Sequence, residues 1–321
     1  MRLRRYILLR ALQLVPVTLV VIVLNFLLIH LAPGDISLIL AGETADPAYL
    51  ASIRERFGLD QPFHVQLWRY LVQVASGDLG LSLRSREPVF AEIMSRVPAT
   101  LLLVGTSLAL SVALGTWIGT WIARRPGSAL DRWVSALAVA LFSVPVFWLG
   151  LMLVLLFAVR LPILPAMGMA SVDGPRDGIG RILDVAQHLV LPVLALMTVS
   201  LGQYVRLARS AVAEVMGEAY ITTVRAIGFR DRTILMRYAL RNAMLPVVTV
   251  LGLQLALILT GAVLTETVFS WPGLGRLLYD AILARDTPVI MGAFIIMSVT
   301  VAAASLATDL VYAALDPRVK L

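Results

Sequence analysis

Residues 99–122 read ATLLLVGTSLALSVALGTWIGTWI, 24 positions without a charged side chain. A bilayer core about 30 Å thick is crossed by roughly 20 apolar residues in a helix. Five more segments meet that test, at 11–32, 133–159, 187–205, 245–268 and 290–313. Backbone groups in lipid must pair within their own segment, so these stretches are helices rather than open strands. Pro16, Pro145, Pro192 and Pro246 fall inside or at the edges of the spans. Membrane helices tolerate proline because neighbouring groups re-satisfy the freed backbone. The expected fold class is an all-α integral membrane protein with six transmembrane helices.

Composition agrees. Of 321 residues, 59% are hydrophobic and 15% charged, against about 45–50% and about 25% for soluble domains. These values exclude disorder, a coiled coil and a repeat solenoid. Cysteine is absent, which excludes disulfides, iron–sulfur clusters and thiol catalysis. His30, His64 and His188 are scattered without metal-ligand spacing. The single lysine, Lys320, follows no glycine-rich turn. A Walker A loop, whose lysine reaches the β/γ-phosphates, is therefore missing. No catalytic residue, metal or cofactor is expected in this chain, and no nucleic acid among its partners. If ATP powers the protein, another chain binds it together with its magnesium.

Arginine placement orients the spans. Arg2, Arg4, Arg5 and Arg10 precede the first; Arg124, Arg125 and Arg132 follow the second. Arg206, Arg209, Arg225, Arg230, Arg232, Arg237 and Arg241 follow the fourth, and Arg318 and Lys320 come last. With alternating spans all of these share one side, the cytoplasm, and both termini lie there. The first apolar run is longer than a signal-peptide core of about 7–15 residues, so an uncleaved anchor is expected. The division is a cytoplasmic segment 1–10, a first span 11–32, an extracytoplasmic loop 33–98, and a five-helix core 99–321 with a cytoplasmic loop at 206–244.

The outer loop contains two helix patterns. Asp46-Pro47 places a capping residue before proline at the first helical position, and Ala48–Phe57 stops at Gly58, a C′ residue. A second amphipathic stretch, His64–Ala75, sets Leu67, Leu71 and Val74 on one face. This loop is a platform for a partner or a cap over the bundle. In the inner loop, Val212–Ile227 reads as a helix stopped by Gly228. A second helix, Arg232–Asn242, follows with Asp231 as its cap, Ile234, Leu235 and Tyr238 on one face, and Arg237 and Arg241 four apart in a basic stripe. Such an element docks into another protein or lies at the interface with its arginines on lipid headgroups.

The inner loop also carries a resemblance. Glu218-Ala219-Tyr220, Arg225-Ala226-Ile227-Gly228-Phe229 and Leu240-Arg241-Asn242-Ala243-Met244-Leu245-Pro246 resemble the coupling loop of ABC importer permeases, in the variant of the oligopeptide, dipeptide and nickel family. The sequence departs from that pattern at Val224, usually alanine, and Ile227, usually lysine. The likeness runs along the whole chain. It includes Ala32-Pro33-Gly34-Asp35 (with Ile36 in place of the usual proline), Phe57–Pro62, Gly77–Ser82, Arg96–Leu101, Glu266–Gly275 and Asp309–Arg318.

The resemblance implies a type I importer permease bundle in a bacterial or archaeal inner membrane. It implies a sister permease, two ATPase subunits and an external solute-binding protein as partners, with di- or oligopeptides as cargo. Nickel or another small solute is the alternative within the family. A secondary transporter or channel is the alternative from another class, although the span interiors lack the acids and histidines of ion relays. The residues implied in coupling are Glu218, Ala219, Tyr220, Arg225, Ala226, Gly228, Phe229, Arg237 and Arg241. Asn25, Gln203 and Gln254 are candidates for the translocation path, with interhelical hydrogen bonding as the plainer role. Gly115-x-x-x-Gly119 permits close helix packing. Glu266 and Asp309 are ionisable groups near span ends, where water or arginine partners suffice, and His30 and His188 read as interfacial and structural.

Overall fold

The computed structural model describes residues 2–31, 35, 37–38, 46–175, 177–256 and 262–315. The motif residues Ala32-Pro33-Gly34 and Asp316-Pro317-Arg318, and the side chain of Asp309, lie outside the described set. Helix α1 covers Arg2–Leu31; α2, Pro47–Phe57, and α3, Phe63–Ala75, form the loop that follows. Then come α4, Val89–Ile122, α5, Ala129–Ser143, and α6, Val146–Val154, which continues as a π-helical turn over Leu155–Arg160. Helix α7 is Gly178–Met216 and α8 is Ala219–Ala226. Asp231–Thr233 opens a segment that passes through a π-turn at Ile234–Ala239 and becomes α9, Leu240–Ala256. Helices α10, Val263–Val268, α11, Leu274–Leu283, and α12, Thr287–Leu315, complete the chain.

Among the described residues, four helices are long and apolar enough to cross a membrane, namely α4, α7, the segment leading into α9, and α12. The pair α5 and α6 adds a fifth if counted as one span. The uniform span expected at 133–159 is instead bent by 94°. Proline explains the break. Val144, which precedes Pro145, is extended at ψ 127°, as the residue before proline prefers, and Pro145 has no N–H with which to continue the ladder. The span expected at 187–205 lies inside a helix about twice that length, Gly178–Met216. The one expected at 245–268 falls on two helices, α9 and α10.

Small residues set how closely the long helices meet. A Cβ added at Gly115 would come within 2.6 Å of Tyr204 Cβ, and one at Gly119 within 2.5 Å of the Val205 carbonyl. The glycine pair is thus where α4 crosses α7. Gly202 does the same against Ala138 of α5, and Gly252 against Thr308 of α12.

The loop 46–88 is packed rather than loose. Tyr70 and Ile53 are buried with Ile22, Phe26 and Ile29 of α1 and with Met291 and Ile295 of α12. Leu67, Leu71 and Val74 share that face. Gly58 ends α2 in the left-handed region at φ 61°, where its N–H and that of Leu59 close onto Glu55 and Arg54. His30 has a structural place, 2.8 Å from both the Phe26 carbonyl and the Gln66 side chain. Buried Asp286 accepts from Ser82 Oγ at 2.6 Å and so ties the same loop to the start of α12.

Two expectations for the inner loop need correction. Val212–Ile227 is not one helix. Helix α7 runs to Met216, and the chain turns at Gly217 and at Glu218, which is extended at ψ 146°. Nor is Arg232–Asn242 a separate helix capped by Asp231. Arg230 occupies the cap position, and the segment runs on into α9 through the π-turn. A period of 3.6 in the sequence does not register the residue that a π-turn inserts.

Candidate functional site

Helix α8 has eight residues, about 12 Å at 1.5 Å per residue, too short to be stable alone. It is held by one fully buried side chain, Ile221, which packs against Ile234 and Ala239 of the π-turn segment, with Val215, Met216, Val224 and Tyr238 around them. Apart from half-buried Val224, the rest of its surface is open. Glu218, Ala219, Tyr220, Arg225, Ala226, Gly228 and Phe229 are all exposed, and Ile227 is 70% exposed.

Polar contacts fix the angle of α8. Asn242 Nδ2 donates to Tyr220 Oη at 2.8 Å, and Tyr220 Oη donates to the Tyr238 carbonyl at 3.3 Å. The Phe229 and Tyr238 rings meet edge to face with centroids 5.6 Å apart. Arg225 and Asp231 face each other at 3.8 Å across the turn. Gly228 makes that turn at φ 95°, a conformation L side chains rarely adopt. Its missing side chain would point into open space, with no atom within 4 Å. The glycine is therefore required by the backbone rather than by internal crowding. Arg237 and Arg241 are exposed beyond it.

The end of α7 is locked to α5. Arg209 donates from Nε to Asp131 Oδ1 at 2.5 Å and from a terminal nitrogen to Oδ2 at 2.7 Å. The Gly127 N–H adds a bond at 2.9 Å, and Asp131 is 2% exposed. Sequence reading passed over this pair, counting Arg209 only as a positive charge. The available signal was Ser128-x-x-Asp131, a capping pattern; Ser128 Oγ accepts from the Asp131 N–H at 3.2 Å.

A second built cluster surrounds Glu266, which is fully buried. Its carboxylate accepts from Thr100 Oγ1 at 2.8 Å and from the Arg276 N–H at 2.9 Å, in the first turn of α11. Thr100 accepts in turn from the Leu274 N–H at 2.7 Å, and Trp271 Nε1 donates to the Ala99 carbonyl at 2.8 Å. A negative charge among the free N–H groups of a helix start is favourable. A hydroxyl and a backbone N–H thus serve Glu266 directly. Gly273 is small because a Cβ there would strike that carboxylate.

The path candidates separate. Gln254 Nε2 lies 3.4 Å from Gln203 Oε1, so α9 and α7 bring those two half-buried amides together. Asn25 is buried elsewhere and donates to the Met291 carbonyl at 3.3 Å, joining α1 to α12. In the outer loop, hydrogen bonds from Ser37 and then Arg54 hold the Asp35 carboxyl below its usual value. Among the described residues, no group of three or more histidines or acids is placed to hold a metal.

Two family descriptions match the chain. "Binding-protein-dependent transport system inner membrane component" matches residues 115–321, and the N-terminal description of the same systems matches residues 3–104. The glutathione transport system permease protein GsiC of Salmonella paratyphi A is 41% identical over 315 positions, covering 98% of both chains. The dipeptide transport system permease protein DppB of Escherichia coli K12 is 38% identical over 334 positions, again 98% of both. DppB of Alkalihalophilus pseudofirmus is 37% identical over 332 positions, 98% of this chain and 99% of its own.

Proposed function

The chain belongs to the binding-protein-dependent transport system inner membrane components, and from that premise we propose that it is one half of the pathway of an ATP-driven importer of small peptides. The relatives' cargoes, a dipeptide and the tripeptide glutathione, support peptide as the class. The observation that carries the docking half of the reading is α8, a short exposed helix anchored through a single buried residue on the arginine-rich side.

In this reading α1 and the α5–α6 pair bring the spans to six, and both termini are cytoplasmic. A sister permease completes the pore. Two ATPase subunits, which hold ATP and magnesium, sit beneath α8, and a solute-binding protein delivers cargo to the opposite side. Closure of the ATPase dimer displaces α8 as a rigid body. Ile221 passes that push to the segment leading into α9, and Gly217 and Gly228 set the angles at which α8 joins its neighbours. Through Arg209 and Asp131 the same movement reaches α5. Because Gly115 and Gly119 bring α4 against α7 without intervening side chains, those helices move together and the pore changes the side on which it opens. Arg225, Arg237 and Arg241 contact the ATPase surface, and Gln203 and Gln254 contribute polar groups to the path.

The test is co-purification from native membranes in mild detergent, followed by uptake of labelled di- and tripeptides into liposomes. Recovery of a second permease, ATPase subunits and ATP-dependent uptake is the expected result. A chain that purifies alone and moves solute without ATP overturns the proposal.

A further inference from the structure

Where α4 reaches the arginine-rich side it borders a groove with two compartments. One, about 540 Å³, is walled by Trp121, Arg124, Arg125, Arg225 and Asp231. The other, about 470 Å³, continues along α4 past Val112, Ala113 and Trp117 and is closed by Arg232, Leu240 and Met244. Trp121, Arg124 and Leu235 line both. Each volume falls in the range of about 300–1,000 Å³ typical of ligand sites.

We propose that this groove holds one anionic glycerophospholipid of the surrounding leaflet, with its phosphate among the arginines and one acyl chain along α4. Charge is the first argument. Arg124, Arg125 and Arg232 line it with a single acid, Asp231, which is itself largely exposed and already faces Arg225. Guanidinium groups suit phosphate through paired N–H donors. Dimension is the second. The wall from Val112 to Arg124 spans about 18 Å at 1.5 Å per residue, close to the roughly 15 Å of one leaflet. Polarity is the third. The apolar compartment adjoins the basic one across Trp121, Arg124 and Leu235, and Trp117 and Trp121 are 67% and 49% exposed, as aromatic side chains are at a membrane interface. A soluble anion would have no use for the apolar half. The lipid would span the end of α4, the turn after α8 and the start of the α9 segment, and so brace α8 from behind. This inference rests on α4 lying in a membrane and is independent of cargo and of the ATPase reading.

The experiment isolates the chain, with whatever subunits accompany it, from native membranes in mild detergent and quantifies retained phospholipid by mass spectrometry. Wild-type protein is expected to retain anionic phospholipid, enriched over the bulk membrane. Arg124→Gln should lower that retention about tenfold, the loss of one charge-assisted contact. Ala113→Trp, which fills the apolar compartment without a change in charge, should lower it as well. Arg132→Gln makes the same charge change outside the groove and should leave it intact. A photo-crosslinking residue at position 117 should label lipid. Equal retention in all variants, retained lipid that merely mirrors the bulk, or labelling of a protein subunit at position 117 would each overturn the proposal.

Discussion

Replacing Ile221 with alanine probes how α8 is held. Ile221 is the one buried residue of an eight-residue helix, and its side chain is fully enclosed against Ile234 and Ala239. Burying such a side chain is worth about 1.5–3 kcal/mol, and isoleucine-to-alanine changes in packed sites cost about 2–5 kcal/mol. Because the contact is confined to a short element, the loss falls on the local opening of α8 rather than on the bundle. A loss of about 2–3 kcal/mol raises the open population roughly 30- to 150-fold, at 1.4 kcal/mol per decade. Amide hydrogen exchange of the last turn of α8, followed by mass spectrometry in detergent, measures this directly. Exchange there should accelerate by about that factor, with α4 and α7 unchanged. Thr222→Ala on the exposed face should shift it by no more than about 0.5 kcal/mol. If Ile221→Ala leaves α8 exchange unaltered, or accelerates every helix alike, α8 is not held as described and the rigid-push mechanism fails with it.

Gly228→Asp places an L residue at φ 95°, at a cost of at least about 1–2 kcal/mol; insertion into the membrane should be unaffected while ATP-dependent uptake is lost, and normal uptake would refute the role of the turn. Asp131→Asn leaves Arg209 without its carboxylate and should destabilise by about 3 kcal/mol in thermal unfolding. Arg209→Lys should be damaging as well, since an ammonium cannot span both oxygens. Gly273→Ala drives a Cβ into the Glu266 carboxylate and should cost about 1–3 kcal/mol, whereas Gly105→Ala, with nothing within 4 Å, should be neutral or slightly stabilising. The Asp35–Arg54 tie carries a pH dependence. The Asp35 carboxyl is lowered in the folded chain, so its contribution is complete above the ordinary aspartate value and fades as pH falls through the depressed one. Exchange in α2, corrected for intrinsic rates, should therefore rise as pH falls below the ordinary aspartate value of about 4; a flat profile would refute the tie.

The outer loop shows how far local signals reach. Asp46-Pro47, Gly58 and the face of Leu67, Leu71 and Val74 place α2 and α3 to within a residue, because a first-turn proline, a left-handed glycine and an amphipathic face act over single turns, although the Asp46 side chain itself makes no capping bond. The inner loop shows where they stop. Its motif residues fall on the segment that carries α8, but periodicity ran α7 and α8 together, since Gly217 and an extended Glu218 interrupt the helix without any change in apolar spacing. The 94° bend beside Pro145 was concealed in the same way, because hydropathy counts residues and carries no direction.

The sequence by itself determined the class of protein, through uncharged runs too long for a globular core, and the family, through motifs spread along the chain. It also showed that the single lysine, Lys320, follows no glycine-rich turn, so a Walker A loop is missing. Only the tertiary structure decided the partners. Arg209 with Asp131, Thr100 with Glu266, and Gln203 with Gln254 are separated by 78, 166 and 51 positions. Hydrophobicity is a sum over neighbours along the chain, whereas a hydrogen bond needs two particular atoms about 3 Å apart. Those pairings arise only once the glycine crossings of α4, α5 and α7 have set how the helices meet.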